Sequence, residues 1–335
     1  MGGLERGAVY VPGFRRDGRA VPGPDEDAFT LAATALELLA GVSGGLPAPG
    51  TVHVVGLLPA GADGGMAALL GHPVDVVPHS SEVGGLREAL AAVVAPGLSA
   101  PAVVVVVDLG ESPAREAMAV ALRFQASTGS LSVPSVTDDR STVAALALLR
   151  GLTLTAVAEG TDRAAHPPPP EAQARPWVET SLSTLSEGAY VPRARYLENL
   201  PSRWRLEGER CGACGTLTFP ARGRCRSCAA EAGLTAETLP RDGARVVAAT
   251  TIGKGGQPTE FDAQVEALGD YSVVLAEFAP GVRLTLQVTD AAPGEVRIGD
   301  RIGTRLRRLY PMEGEWRYGR KAIPLPAANA SPSVP

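Results

Sequence analysis

The sequence predicts a layered α/β domain, a zinc-binding segment and a small all-β barrel, in that order. Strand-like and helix-like patterns alternate over residues 1–165, four cysteines lie together between positions 211 and 228, and short β-type segments recur after Gly243. A chain of 335 residues is long for one domain and comfortable for two. We therefore expect more than one domain, each with its own architecture.

The charge of the chain differs between its two halves. Residues 1–192 carry 11 arginines and 20 acidic residues, a net charge of −9, whereas residues 193–335 carry 20 basic and 16 acidic residues, a net charge of +4. Such an asymmetry indicates domains with different partners. A net charge of +4 suits a small phosphorylated ligand such as a coenzyme, and it is weak for a nucleic-acid-binding protein, whose pI is more often above ~9.

The sequence contains no pattern typical of a signal peptide or a membrane span. The first residues are not followed by an apolar run. The longest apolar stretches, residues 28–40 and 102–107, are shorter than the ~18 residues that a membrane-spanning helix needs. We expect a cytoplasmic protein without a membrane partner.

The first domain, residues 1–165, is predicted to alternate strands with helices. Near-continuous runs of valine and other apolar residues are typical of strands that are buried on both faces of a layered α/β fold. Apolar residues at helical spacing, followed by Gly41, predict a helix. We predict strands over residues 7–11, 51–58, 101–108 and 152–158, and helices over residues 28–40, 82–94, 113–124 and 141–150.

The rest of the chain begins with a proline-rich linker over residues 166–190. Four consecutive prolines follow His166, and a proline run continues neither a helix nor a sheet ladder. A helix and the zinc-binding segment are assigned to residues 191–232, the barrel to 233–326 and a disordered tail to 327–335. Closing the barrel would remove its exposed edges. Its predicted strands are residues 244–252, 271–278, 282–288, 301–308 and 316–324.

The four cysteines of the chain are Cys211, Cys214, Cys225 and Cys228, in a Cys-x2-Cys-x10-Cys-x2-Cys pattern. Each Cys-x2-Cys turn, or knuckle, places two thiolates on one ion, and two knuckles complete the tetrahedron that zinc requires. Two disulfides and a redox pair are the alternatives. A cytoplasmic chain disfavours disulfides, and a redox pair needs no second pair beside it. We predict a structural zinc ion, because four protein ligands leave no position for water or substrate.

The second half resembles a family of zinc-ribbon and OB-fold proteins that accompany thiolases and other acyl-CoA enzymes. Residues 195–205 (RYLENLPSRWR) precede the knuckles, residues 218–220 (TFP) lie between them, and residues 296–300 (VRIGD) and 317–321 (RYGRK) fall in the predicted barrel. The resemblance covers residues 190–326 and implies a rubredoxin-like zinc ribbon followed by an OB-fold barrel. It also implies a non-catalytic subunit that docks on a thiolase-fold enzyme and helps to hold or channel a coenzyme A thioester.

The first domain resembles the N-terminal half of archaeal-type hydroxymethylglutaryl-CoA synthases, which have the thiolase fold. Residues 7–12 (GAVYVP) and 20–27 (AVPGPDED), followed by an alanine-rich helix, carry the resemblance. It implies a degenerate site, because Leu58 stands where the family has a Glu, and Ser81 or Glu82 where it has the nucleophilic Cys. The second half of that fold, with its His and Asn, is missing. A Claisen-type condensation needs a thiolate and an oxyanion hole, so we expect no catalysis by this chain alone.

Three further groups of residues have competing interpretations. Residues 79–81 (HSS) are either a nucleophile with its base or the N-cap of the following helix, and capping is the more common role. Residues 25–27 (DED) either bind a cation or complement the dipole of the helix after them, and we favour the second interpretation. Arg305 and Arg307 either bind the phosphates of coenzyme A or lie on a solvated face of the barrel.

These observations favour an accessory or scaffold subunit, with a thiolase- or ketosynthase-like enzyme and an acyl-CoA as its partners. One alternative is an acyltransferase, or a hydroxymethylglutaryl-CoA synthase-like enzyme, that uses Ser81 and is active only with a partner. Another is a single-stranded nucleic-acid-binding module, since zinc ribbons and OB folds both serve in that role. Such modules stack bases on aromatic side chains, and aromatic residues make up only 4% of this chain.

Overall fold

A computed structural model of the chain describes residues 4–11, 14–16, 19–42, 49–56, 58, 62–81, 83–93, 101–110, 117–124, 156–159, 192–312 and 315–325. The chain divides into two compact units, Met1–Pro168 and Pro169–Pro335. The predicted helix over residues 141–150, the linker over 166–190 and the tail over 327–335 lie outside the described residues. Within the described residues, every helix is too short or too polar to cross a membrane.

The first unit is built on one sheet. Its elements, in chain order, are β1 (Leu4–Tyr10), β2 (Phe14–Arg16), β3 (Arg19–Val21), α1 (Ala28–Val42), β4 (Thr51–Val55), α2 (Ala62–Leu70), β5 (Asp75–His79), α3 (Val83–Val93), β6 (Ala102–Asp108), β7 (Met118–Phe124) and β8 (Ala156–Glu159). The sheet order is β5-β4-β6-β7-β1-β8, and β2 and β3 form a separate hairpin. β7 runs antiparallel to both of its neighbours, whereas β5, β4 and β6 are parallel.

The predicted helix over residues 113–124 is wrong over its second half, which is the strand β7. The sequence of this strand, MAVALRF, is rich in Met, Ala and Leu, which are strong helix formers. It lies between β1 and β6, and nearly all of its side chains are buried. Burial between two neighbouring strands outweighs local propensity, as is common for apolar segments of this length.

The other predicted elements of the first unit agree with the structure to within a few residues. α1 begins after Asp27, whose Oδ1 accepts a hydrogen bond from the Thr30 backbone N–H at 2.9 Å, while Thr30 Oγ1 accepts one from the Asp27 N–H at 2.8 Å. This reciprocal pair satisfies two amides at the start of the helix. One core of the unit lies where α3 packs on the sheet, and it includes Leu86, Leu90, Val104, Val106 and Leu122.

The described part of the second unit contains three short helices, a three-stranded sheet and a five-stranded sheet. Its elements are α4 (Arg193–Glu198), α5 (Leu200–Arg205), β9 (Glu207–Cys211), β10 (Leu217–Thr218), β11 (Leu234–Thr238), β12 (Asp242–Ile252), a 3-10 turn (Thr259–Phe261), α6 (Asp262–Leu268), β13 (Tyr271–Ala279), β14 (Val282–Gln287), β15 (Arg301–Met312) and β16 (Glu315–Pro324). All five strands predicted for the barrel are therefore present.

The five-stranded sheet curls into a nearly closed barrel. Its order is β14-β13-β12-β15-β16, with antiparallel pairing throughout. The ends of this order meet at a parallel bridge between Val288 and Ala322, where the Thr289 N–H donates to the Ala322 carbonyl at 2.8 Å. Alternate residues of β13 and β14, such as Val274 and Leu284, point into the core. Burying one face of each strand is the main source of stability for such a barrel.

Candidate metal centre and ligand cavity

The two cysteine knuckles have the same backbone hydrogen bonds. In the first, the Gly215 N–H donates to the Cys211 carbonyl at 2.8 Å, and in the second, the Ala229 N–H donates to the Cys225 carbonyl at 3.1 Å. Gly215 and Ala229 hold equivalent positions and both have positive φ, +72° and +59°. The tight turn therefore requires a left-handed residue in each knuckle, and only the first has the glycine that adopts it without strain.

The four cysteine sulfurs form one compact cluster. All four Sγ atoms lie within 4.8 Å of one another. The Sγ atoms of Cys211 and Cys228 are 3.6 Å apart, and those of Cys214 and Cys225 are 3.5 Å apart. A tetrahedral zinc ion with Zn–S bonds of ~2.3 Å requires S–S distances of about 3.8 Å. The donor set fits zinc in number, chemistry and size, and the two knuckles bring their four sulfurs together.

The thiols of this cluster differ in exposure and in acidity. Cys211 and Cys225 are buried, whereas Cys214 and Cys228 are exposed. Hydrogen bonding to Thr216 lowers the pKa of Cys214 to about 6. For Cys228, the backbone of Ala230 lowers the pKa, but the neighbouring thiols outweigh it and raise the pKa to about 12. Four thiols this close do not all lose their protons readily, because the resulting thiolates repel one another. A divalent cation offsets this repulsion, because the thiolates bind to it as ligands.

The second knuckle is attached to the barrel through Arg226. Its Nη1 donates to the Gly281 carbonyl, in the turn between β13 and β14, at 2.9 Å, and its backbone N–H donates to Thr218 Oγ1 at 3.3 Å. The segment between the knuckles continues into Phe219 and Pro220, and Phe219 packs against the barrel core. The zinc-binding segment thus packs on the barrel, because Phe219 and Arg226 both contact it.

A cavity of about 950 Å³ lies between the barrel, α5 and the segment between the knuckles. Small-molecule sites usually occupy ≈ 300–1,000 Å³, so this cavity is at the upper end of that range. Half of its lining residues are apolar, and they come from segments that are well separated in the sequence of the second unit. Among these are Leu206, Phe219, Ile252, Phe261, Val273 and Leu309.

The cavity follows the open seam of the barrel. Five consecutive residues of β14, residues 283–287, line it, so one edge of this strand faces the cavity. β14 pairs with β13 along its other edge. Across the seam, Gly319 and Arg320 of β16 form the opposite wall. The backbone groups along an unpaired strand edge are hydrogen-bonding sites for a ligand or a partner.

The charged residues in the cavity wall are all cationic. Arg283 pairs with Glu277 at 3.2 Å, and Arg320 donates to the Trp204 carbonyl. The guanidinium of Arg203 lies 5.9 Å from the centre of the Tyr196 ring, and no carboxylate within reach of it is found among the described residues. Arg203 is therefore the wall cation that is most open to pairing with an anion.

Arg305 and Arg307, the predicted substrate-binding residues, do not line this cavity. Arg305 pairs with Asp242 at 2.9 Å, and Arg307 pairs with Asp290 at 3.2 Å. Both arginine side chains are buried, so they do not lie on a solvated barrel face. Their role in binding a phosphate stays a prediction.

In the first unit, His79 contacts another histidine. Its Nε2 lies 3.0 Å from His53 Nδ1, and its Nδ1 lies 3.7 Å from Glu88 Oε2. Burial, followed by the charge of His79, lowers the pKa of His53. Both ring nitrogens of His79 are thus directed at groups other than Ser80 and Ser81, which gives no support to a serine nucleophile with His79 as its base.

The sequence did not single out the residues that line the cavity. The one available signal was the family resemblance, whose segments contain seven of the lining residues: Asn199, Ser202, Arg203, Phe219, Pro220, Gly319 and Arg320. Tyr271, Gln287 and Leu309 belong to predicted strands or lie beside them without a distinguishing pattern. Their convergence depends on the barrel closing, which places residues far apart in the sequence around one space.

Two comparisons concern the sequence. Residues 202–232 match the family model described as the ChsH2 rubredoxin-like zinc ribbon domain. A DUF35 domain-containing scaffold protein of Methanothermobacter thermautotrophicus is 30% identical over 122 residues, which are 36% of this chain and 85% of that protein. One of the same description from Methanocaldococcus jannaschii is 29% identical over 133 residues, 39% of this chain and 89% of that protein. The second unit thus contains a zinc ribbon.

A third comparison concerns solved structures. A chain described as Ltp2-ChsH2(DUF35) aldolase is 22% identical to this one, with a TM-score of 0.28, and the match covers 36% of this chain and 84% of that chain. A TM-score of this size is too low to assign a shared fold.

Proposed function

The chain belongs to the family of DUF35 domain-containing scaffold proteins, and on this premise we propose that it is a non-catalytic accessory subunit of a thiolase- or ketosynthase-like enzyme. In this role it binds the enzyme and helps to bind or channel an acyl-CoA. The observation that carries the proposal is the 30% identity to an archaeal scaffold protein over 85% of the length of that protein.

The chemistry of the metal centre supports a structural role. Four cysteine ligands fill the tetrahedron, so zinc at this centre has no open position on which to activate water or a carbonyl group. The ion would hold the two knuckles and the segment between them in place. A scaffold needs this rigidity, and a zinc-dependent hydrolase would need one ligand fewer.

The first unit supports the same proposal through what it lacks relative to the family it resembles. Leu58 and Ser81 replace a Glu and the nucleophilic Cys in that resemblance. His79, the nearest histidine in the sequence, directs its nitrogens at His53 and Glu88. A weak nucleophile needs an adjacent base for activation, and the geometry supplies none to Ser81 from His79.

The barrel supports a ligand-binding role in the second unit. If β12 to β16 are strands 1 to 5, their order around the barrel is 1-2-3-5-4-1, with the 3–5 contact made by the Val288–Ala322 bridge. This is the order of an OB fold, whose usual binding face consists of strands 2 and 3 and the loop between strands 1 and 2. The cavity is lined by those same parts, β13, β14 and residues 256–261. Its arginines suit the phosphates of coenzyme A.

Co-purification tests the proposed partnership. The full chain with an affinity tag is co-expressed with the thiolase- or ketosynthase-like proteins of its own organism, and mass spectrometry identifies what is retained. We expect one such enzyme to co-purify and its condensation activity to rise when the chain is added, while the chain alone shows none. Condensation activity of the isolated chain, or failure to retain any thiolase-fold protein, would contradict the proposal.

One substitution separates an accessory subunit from an enzyme. Ser81 is exposed and lies just before α3. An accessory subunit should tolerate Ser81→Ala with unchanged activity of the complex, whereas an acyltransferase that uses this serine should lose most of its activity. Ser80→Ala is the matched control at the neighbouring exposed position.

A further inference from the structure

We infer that the cavity of the second unit binds the acyl chain of a phosphopantetheine thioester, and that this chain is long or bulky rather than acetyl. The inference rests on the proposed function, which supplies the class of ligand, and it adds the size of the acyl group and the residues that select it. Three properties of the cavity carry it: its volume with its apolar wall, a buried acceptor without a partner among the described residues, and an arginine, Arg203, that has an aromatic ring rather than a carboxylate as its neighbour.

The volume sets a lower limit on the size of the ligand. An acetylated phosphopantetheine arm takes up roughly the volume of 15 water molecules of about 30 Å³ each, so it would leave about half of the 950 Å³ empty. Phe219, Phe261, Val273 and Leu309 would then face water. A long acyl chain covers these side chains and gains about 0.8 kcal/mol for each methylene it buries.

The polar groups of the wall require a ligand that is more than a hydrocarbon. Gln287 lines the cavity and donates through Nε2 to Gln264 Oε1 at 3.4 Å, while its own Oε1 is buried without a partner among the described residues. A buried acceptor of this kind costs free energy unless a donor reaches it. The pantetheine arm has two amide N–H groups and an extended shape, which also suits the open edge of β14.

The charge of the wall selects an anion. Arg203 lies in the wall and has the ring of Tyr196, not a carboxylate, as its neighbour. A phosphate on the ligand supplies the missing charge, and guanidinium–phosphate hydrogen bonds are among the strongest available. An apolar chain, amide donors and a phosphate occur together in an acylated phosphopantetheine arm. Coenzyme A and an acyl carrier protein share that arm, so either is a possible source.

Direct binding to the isolated full chain, with zinc, tests the inference. Isothermal titration compares dodecanoyl-CoA, acetyl-CoA, CoA and a dodecanoyl carrier protein. We expect dodecanoyl-CoA to bind at least about tenfold more tightly than acetyl-CoA or CoA, because only its chain fills the apolar wall. Tight binding of the carrier protein with weak binding of dodecanoyl-CoA would identify the carrier as the source. Equal affinity for dodecanoyl-CoA and acetyl-CoA would overturn the inference.

Matched variants locate the site. Val273→Trp fills the cavity and should abolish the preference for the long chain, whereas Leu275→Trp, on the same strand and outside the lining, should keep it. Thr285→Trp, at an exposed lining position, serves if Val273→Trp does not fold. Arg203→Gln should weaken the binding of dodecanoyl-CoA about tenfold. Arg195→Gln, on the exposed side of α4, should have little effect on this affinity. Unchanged chain preference in folded Val273→Trp and Thr285→Trp proteins would contradict the assignment.

The two proposals fail separately. If the isolated chain binds dodecanoyl-CoA but retains no thiolase-fold enzyme, the accessory role is wrong and the acyl-chain site stands. If an enzyme co-purifies and the isolated chain does not distinguish long from short acyl groups, the site is wrong and the accessory role stands.

Discussion

Arg307, a fully buried arginine on β15, forms an ion pair with Asp290 at 3.2 Å, and the Asp290 side chain is only 17% exposed. Arg307 Nη1 also donates to the Leu306 carbonyl at 3.2 Å. Asp290 follows the Val288–Ala322 bridge closely in the chain. The pair therefore links the end of the seam to the centre of β15, and Arg307 depends on the charge of Asp290 because water does not reach the Arg307 side chain.

Asp290→Asn tests that dependence. The change keeps a residue that tolerates the positive φ of +55° at this position, and it removes the charge that balances Arg307. We expect a loss of about 3 kcal/mol in the unfolding free energy of the second unit, since breaking a buried pair leaves an uncompensated charge. Denaturant unfolding followed by tryptophan fluorescence measures it. Glu277→Gln, in the exposed pair with Arg283, should cost less than about 1 kcal/mol, and equal losses would refute the argument.

Zinc removal should affect the ligand cavity as well as the knuckles. Phe219 and Pro220 lie between the two pairs of cysteines and also in the cavity wall. We expect one zinc ion per chain by elemental analysis, and a clear loss of dodecanoyl-CoA affinity after chelation or in Cys225→Ser, because the wall loses its support. Acidification should release the ion, since the ligands must be deprotonated to bind it. Full dodecanoyl-CoA affinity in a zinc-free protein would show that the wall does not need the metal.

The second knuckle should become more stable when Ala229 is replaced by glycine. Ala229 has a left-handed conformation at φ +59°, which costs about 1–2 kcal/mol for an L-residue. Glycine removes this strain, but it also increases the conformational entropy of the unfolded chain, which cancels part of the gain in stability. We expect Ala229→Gly to stabilise the zinc-bound form by about 0.5–1 kcal/mol, measured by competition with a chelator. Gly215→Ala, at the equivalent position of the first knuckle, should weaken zinc binding, and the same sign for both changes would contradict this account.

The stability of the first unit should fall in mild acid because of His53. The pKa of this buried histidine is lowered from its ordinary value of 6.5, so below that pH the unfolded chain binds more protons than the folded one. Its contribution is therefore constant above about pH 6.5 and decreases as the pH falls below it. Hydrogen exchange of the β4 amides between pH 8 and 5 should report the change, after correction for intrinsic exchange rates. His53→Gln should reduce the dependence of this stability on pH, and His72→Gln, in an exposed loop, should leave that dependence unchanged.

The sequence predicted the barrel well because its strands alternate. β13 and β14 bury every second residue and are bounded by turn residues, so both their presence and their direction can be derived locally. β7 shows the opposite case. It is mostly apolar and rich in helix formers, so its identity as a strand depends on its pairing with β6 and with β1, which lies far from it in the chain.

The cysteine cluster was predictable and the ion pairs were not. Metal-ligand spacing is a local property, and the predicted set of four sulfurs converges in the structure. Arg305 and Arg307 were expected to face a coenzyme or solvent, but their partners, Asp242 and Asp290, are 63 and 17 residues away. Likewise, His53 and His79 meet only because two parallel strands lie side by side. No single-sequence pattern reports such pairs.

The barrel closes at one point, the Val288–Ala322 bridge, and this has a consequence for how the second unit opens. Local unfolding begins where few hydrogen bonds hold the backbone, and β14 is held by β13 alone along most of its length. Amides of β14 should exchange with solvent earlier than those of β13, which pairs with β12 on one side and β14 on the other over residues 273–277. The strand that unfolds most easily is then β14, which lies beside the cavity. A ligand bound along its open edge would take the place of a sixth strand and would slow the exchange of the β14 amides.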